Sequence, residues 1–191
     1  MAIRRNRVGG VGGAFAALIF AMGLLRTASA QVPSAEASPA GQAIGASGLP
    51  VPRFVSLKSD RVHSRQGPGM EYKVLWVYRR PGLPLEVIRE FEGWRQVRDS
   101  EGAEGWVAQS LVSGRRTALV TPWDIKGGKA TAIQLLSDDR DGASPVAVLE
   151  AGVITNIRSC NAQWCYVSVG DYRGYIQQSK LWGVYPGEVI R

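Results

Sequence analysis

Few residues in this chain have the type and spacing to do chemistry, and the clearest are Cys160 and Cys165. A C-x4-C pair supplies half a metal site at most, because zinc wants about four ligands. No second cysteine pair exists, and the single histidine, His63, lies far upstream. Two nearby thiols in an oxidising compartment tend to pair. Turn-forming Asn161 between them suggests a hairpin whose strands face each other there, so a structural disulfide is expected, with free thiols as the alternative and no metal. Glu90, Glu92, Glu101 and Glu104 could bring two carboxylates together for acid–base work on a glycosidic bond. They alternate with Arg89, Arg95 and Arg98, however, which reads as cross-strand charge pairing on a solvated face. His63 stands between Arg61 and Arg65, and the chain has no G-x-S-x-G nucleophile motif. A phosphate-binding glycine loop closed by lysine is also missing. The expectation is a protein that is not an enzyme and takes no cofactor.

The elements that would position such residues begin with a leader. Arg4, Arg5 and Arg7 precede an apolar stretch from Val8 to Leu25, which ends in Ala28-Ser29-Ala30, a small-x-small cleavage pattern. A retained transmembrane anchor is the competing reading, but the stretch is interrupted by glycines and closed by Arg26, and a spanning helix wants about 20 apolar residues. Residues 1–30 are therefore expected to be a signal peptide cleaved before Gln31. Arg4-Arg5 hints at a twin-arginine signal, but Asn6-Arg7-Val8 lacks the apolar continuation, which favours general secretion. The expected location is the periplasm, with no membrane span after cleavage. Of 23 basic residues four leave with the leader, so the mature chain has 19 against 16 acidic ones. That mild excess, spread in short pairs such as Arg79-Arg80 and Arg115-Arg116, lacks the concentrated patch of a nucleic-acid binder.

Residues 31–52 hold one charge among Ala, Ser, Gly and Pro, too little apolar bulk to offset chain entropy, and are expected to form a flexible linker. From Arg53 on, short runs of period-two alternation are broken by Gly, Pro, Asp and Asn, the mark of an all-β chain of small barrels. An internal repeat divides those 139 residues. Val87 precedes Trp94 by seven and Val97 follows by three; Gly105-Trp106-Val107 and Leu111 come later. Ile157, Trp164, Val167, Gly174-Tyr175-Ile176 and Leu181 repeat that order. The same meander folded twice is implied, with modules over 53–120 and 121–191. Trp94, Val97, Trp106 and Val107 are expected to supply apolar area to the first. Gly105 and Gly174 are expected where a side chain would crowd the facing strand.

With these residues in view, the chain resembles the bacterial-type Src-homology-3-like domain proteins of the cell envelope. Arg61-Val62-His63-Ser64-Arg65-Gln66-Gly67-Pro68-Gly69 is similar to the family's opening segment, with His63 where Asn is usual. Val74-Leu75-Trp76, Gly82-Leu83-Pro84-Leu85-Glu86-Val87 and Glu104-Gly105-Trp106-Val107 match it as well, while the second copy is more diverged. The resemblance implies two tandem SH3-like β-barrels. Polyproline-binding relatives carry Pro and Tyr where this chain has Ala108 and Leu111, or Gln177 and Leu181, so a polyproline groove is not expected. Trp94 falls where those relatives expose a groove tryptophan, and alternation sets it opposite Val97. An aromatic shelf of Trp94 and Tyr72, flanked by Arg65 and Arg95, is thus the expected ligand site, suited to a short acidic or amide-bearing peptide. The competing role for Trp94 is a cap on the barrel. Two functions stand: a binding module for peptidoglycan peptide or an envelope protein, and a structural accessory domain without its own ligand.

Overall fold

The alternating runs fold as strands because each sets one row of β-branched or aliphatic side chains inward and the next outward. The computed structural model describes residues 43–126 and 132–191; the signal peptide expected over residues 1–30, the linker residues 31–42 and residues 127–131 lie outside the described residues. The first sheet uses β3 (Arg53–Leu57), β4 (Val62–Arg65), β5 (Val74–Tyr78), β6 (Pro84–Phe91), β7 (Trp94–Arg98), β8 (Glu104–Ala108) and β9 (Val112–Ser113). They are antiparallel in the order β5-β4-β8-β7-β6-β3-β9. A two-strand hairpin, β1 (Ala43–Ile44) with β2 (Pro50–Val51), precedes them.

The second sheet uses β10 (Thr117–Val120), β11 (Ala132–Leu136), β12 (Pro145–Glu150), β13 (Ile154–Asn161), β14 (Trp164–Val169), β15 (Tyr172–Gln177), β16 (Leu181–Trp182) and β17 (Val189–Ile190). Its order is β12-β11-β15-β14-β13-β10-β16, with β17 on β13. The short helix α1 (Pro122–Lys126) follows β10. Both sheets are the repeated meander foreseen from the spacing. Among the described residues, no pairing joins the two ends of either sheet, so neither is a closed barrel.

Each sheet wraps a separate core. Val62, Leu85, Val87, Val97 and Val107 are fully buried in the first; Val120, Leu135, Val167 and Ile176 hold the same role in the second. Burying a side chain of this size contributes about 1.5–3 kcal/mol. The cross-strand pairs are equivalent, Val87 opposite Val97 and Ile157 opposite Val167. Trp94 is half-buried on the face opposite Val97, as alternation implied, and Trp106, expected to add apolar area to this module, is likewise half-buried on the outer face of its strand. A Cβ on Gly105 would collide with the Ser64 hydroxyl, and one on Gly174 would lie 2.5 Å from the Leu136 carbonyl oxygen. Close approach of β4 to β8, and of β11 to β15, therefore requires glycine at both positions.

Two boundaries differ from expectation. Thr117–Val120 pairs with β13 and β16, so the second module starts before residue 121. Residues 43–51 form the β1–β2 hairpin, and its Ser47 donates from both N–H and Oγ to the Glu90 carboxylate at 2.8 Å. Composition marks this segment as too poor in apolar bulk to fold. Hydrogen bonds to a charged acceptor, stronger than neutral ones, supply what burial does not.

The modules are docked on one another. Phe54 inserts between Trp182 (ring centroids 5.3 Å, edge to face) and Tyr185 (4.8 Å). The Tyr185 hydroxyl donates to Glu86 at 3.0 Å, and Arg80 donates to the Gly152 carbonyl at 2.9 Å. Deeper in the seam, Thr117 Oγ1 donates to the Gly82 carbonyl at 2.7 Å, and the Ser56 hydroxyl donates to the Arg115 carbonyl. The described residues, 43–126 and 132–191, accordingly belong to one compact unit.

Candidate functional site

The expected shelf is only partly assembled. Trp94 is half-buried on the outer face of β7, opposite Ala108. Arg65 pairs in register with Trp106, two residues away along β8, so Trp106 rather than Trp94 is its aromatic neighbour. Arg65 Nη1 donates to the Met70 and Tyr72 carbonyls at 2.9 and 2.8 Å, and the exposed Tyr72 ring lies over Gly67. These two residues build a turn. Arg95 corrects the expectation outright. It is 3% exposed, because adjacent strand residues face opposite sides and Trp94 holds the outer one. Its guanidinium pairs with Glu90 at 3.1 Å and donates to the Glu92 and Trp94 carbonyls.

Glu90 is the hub on that inner side. Arg53 approaches it at 2.6 Å, Arg95 at 3.1 Å, and its side chain is 1% exposed. Burial alone would raise its pKa, but hydrogen bonds from the Ser47 N–H and hydroxyl and then from Arg53 outweigh that and hold the carboxyl at about 2. The glutamates and arginines of this hairpin do pair across strands as expected, but Glu90 and Arg95 do so buried. The remaining pairs, Arg98 with Glu104 at 3.1 Å and Glu86 at 3.4 Å, are more open. In this network Glu86, Glu90 and Glu104 each face an arginine.

The larger concavity lies at the seam. A cleft of about 1080 Å³ runs between the modules. Its module-1 wall is Phe54, Glu86, Arg98 and the Asp99–Gly102 turn; its module-2 wall includes Trp123, Trp164, Trp182 and Tyr185. The Asp99 turn is pre-formed: Oδ1 accepts from the Glu101 and Ala103 N–H at 2.9 and 3.0 Å, and Oδ2 from the Tyr78 hydroxyl at 3.2 Å. Burial, and then the Asp99 charge, push the Tyr78 phenol well above its ordinary range. The Tyr185 phenol is raised in the same way by burial and by Glu86, so both hydroxyls act as donors.

Trp164 is set into this cleft by three ties. Cys160 and Cys165 pair in register and are disulfide-bonded, as the spacing implied. The bond closes the loop that carries Ala162, Gln163 and Trp164. Asn161 Oδ1 accepts from the Gln163 and Trp164 N–H at 3.2 and 2.8 Å, which fixes the turn from inside. Asn161 Nδ2 donates to Asp139 Oδ2 at 2.9 Å, linking it to the β11–β12 loop. Of these residues sequence reasoning found the cysteines and the repeat position of Trp164. It missed Trp182 and Tyr185, whose signal is only an aromatic excess after Leu181, and Phe54, which reads as one more strand residue.

Two antiparallel meanders docked through an aromatic seam, with a cleft between them, define a tandem all-β module. The chain belongs to the bacterial SH3 domain family: that model matches twice, over residues 58–114 and 131–183, more than half of the sequence. Bacterial SH3 domains are binding modules. Among solved structures, NlpC2 from Trichomonas vaginalis is similar at 12% identity, with 69% of this chain and 48% of that one covered and a TM-score of 0.31. NlpC1 from the same organism gives 13%, 69%, 45% and 0.31. This chain thus spans about half the length of those structures, and a likeness so low assigns it none of their properties. No curated protein matches the chain.

Proposed function

We propose that this is an exported, non-catalytic binding protein whose two SH3-like modules together hold a cell-wall peptide or a segment of an envelope protein. The observation that carries the reading is the seam cleft. It is concave, peptide-sized and walled by aromatic side chains with a few fixed polar groups, as ligand sites are. Supporting it are the disulfide, whose usual setting is an oxidising compartment, and the leader over residues 1–30 with its Ala28-Ser29-Ala30 site. The ion pairs that consume Glu86, Glu90 and Glu104 support a non-catalytic role, since each carboxylate already has a cationic partner.

The test is retention of the exported protein on purified peptidoglycan and, separately, on immobilised envelope extract, together with its intact mass. Retention on one matrix and a mass beginning at Gln31 are expected. No retention on either, or a mass that keeps residues 1–30, contradicts the reading.

A further inference from the structure

The seam cleft has a charge character opposite to that of the chain around it. From Gln31 on the sequence holds 19 basic against 16 acidic residues, a mild positive excess. The cleft lining holds four carboxylates, Glu86, Asp99, Glu101 and Asp141, and one guanidinium, Arg98. Arg98 pairs with Glu86 at 3.4 Å and with Glu104 at 3.1 Å, which takes Glu86 out of the balance with it, so the acidic sign of the lining comes from Asp99, Glu101 and Asp141. Asp141 is exposed on the rim, where its Oδ1 accepts from Gln177 Nε2 at 2.9 Å. Aromatic walls add to this sign. The faces of indole and phenol rings carry negative quadrupolar potential and attract cations, most of all when water is excluded. A cleft with carboxylates on its rim and low-dielectric walls also focuses its field on whatever enters.

From this we infer that the cleft recognises a peptide carrying a cationic side chain, an ammonium or guanidinium, laid across both modules at once. This rests on the reading that the seam is the ligand site, and it names the chemical class that site takes. The cation sits between the aromatic floor of Trp164 and Trp182 and the carboxylates of Asp99 and Asp141, while the peptide backbone follows the seam. Among the described residues no group of three or more His, Cys, Asp or Glu side chains is placed to hold a metal ion, and a volume of about 1080 Å³ has room for a peptide segment. The sign is the reverse of that expected for the module-1 shelf. That shelf, with Arg65 and Arg95, suits a short acidic or amide-bearing peptide, and both arginines are held by carbonyl or carboxylate acceptors of the protein itself.

Because the two walls come from different modules, the ligand bridges them. Neither module alone presents both the Asp99 turn and Trp164.

The experiment is a titration of the ¹⁵N-labelled mature full chain with three probes, read at the tryptophan indole N–H signals. The probes are acetyl-Ala-Ala-Lys-Ala-Ala-amide, the same peptide acetylated at its lysine Nε, and acetyl-Ala-Ala-Glu-Ala-Ala-amide. The lysine peptide is expected to shift the Trp164 and Trp182 indoles. Its affinity should exceed that of the acetylated form by about tenfold and fall with added salt. Asp141→Asn, an exposed change, should weaken it several-fold. Equal binding of the acetylated or glutamate peptide overturns the cation preference. Absence of any shift at the two indoles with the lysine peptide overturns it as well. These failures differ from failure of the functional reading. A chain retained on peptidoglycan or envelope extract through Trp164, yet indifferent to the lysine peptide, loses only the cation. A chain retained on neither matrix loses the site itself.

Discussion

The same hairpin end is tied in both modules, by different chemistry. In module 1 the pair before the turn is Glu90 opposite Arg95; in module 2 the corresponding pair is Cys160 opposite Cys165. Each is followed by a turn whose first residue is left-handed, Glu92 at φ 45° and Ala162 at φ 77°. Each then gives a tryptophan, Trp94 or Trp164, half-buried on the outer face. What the topology demands is a closed hairpin under the tryptophan. An ion pair meets the demand in one copy and a covalent bond in the other. The consequences differ, because one tie answers to protons and the other to reductants. Only the second lies under a tryptophan that faces the seam cleft.

The largest effect should come from breaking the ion-pair tie. Glu90→Gln leaves Arg53 and Arg95 without a charge partner in a buried site, and about 3 kcal/mol of stability should be lost in urea unfolding. The same residue sets an acid limit. Its folded pKa of about 2 lies below the ordinary 4.5, so the unfolded chain binds this proton more readily. The stabilisation is complete above pH 4.5 and is lost as pH falls through 2. The gap between wild type and Glu90→Gln should therefore close across that window. A gap that is constant with pH would mean the carboxylate charge is not what holds the hairpin.

Cutting the covalent tie should cost somewhat less. The Cys160–Cys165 loop is short, and Cys160→Ser with Cys165→Ser should lose about 2 kcal/mol by the loop-closure estimate. The disturbance should stay in module 2: amide signals of Ala162, Gln163 and Trp164 should move while those of Glu90 to Arg95 do not. Shifts spread equally over both hairpins would contradict the separation of the two ties.

The smallest effect concerns the turns. Ala162 pays for a left-handed backbone that glycine adopts freely, a cost of about 1–2 kcal/mol set against about 0.5–1 kcal/mol of extra chain entropy for glycine. Ala162→Gly should raise stability by under about 1 kcal/mol. Lowered stability would show that the Ala162 methyl packs against the cleft wall.

What was legible in the sequence is what depends on short spacing. Val87 with Val97, Ile157 with Val167, the disulfide and the crowding at Gly105 and Gly174 all follow from positions within one hairpin or between adjoining strands. Arg95 was misplaced because its charge suggested solvent, although the alternation that turned Trp94 outward also turned Arg95 inward toward Glu90. The segment at 43–51 was misread because composition weighs apolar bulk and misses a serine that reaches a buried carboxylate. The cleft was not legible at all. It forms where Phe54 meets Trp182 and Tyr185, and where Tyr185 reaches Glu86 across 99 residues of sequence. No local period encodes that docking.

The most direct measurement is a matched pair of variants on the two tryptophans. Trp94→Ala and Trp164→Ala remove the same side chain from equivalent strands, and each folded variant is assayed for retention on peptidoglycan and envelope extract beside its urea midpoint. The account predicts that Trp164→Ala loses retention while its stability falls no further than that of Trp94→Ala, which keeps binding. Retention lost in Trp94→Ala but kept in Trp164→Ala would place the ligand on module 1 and contradict the seam.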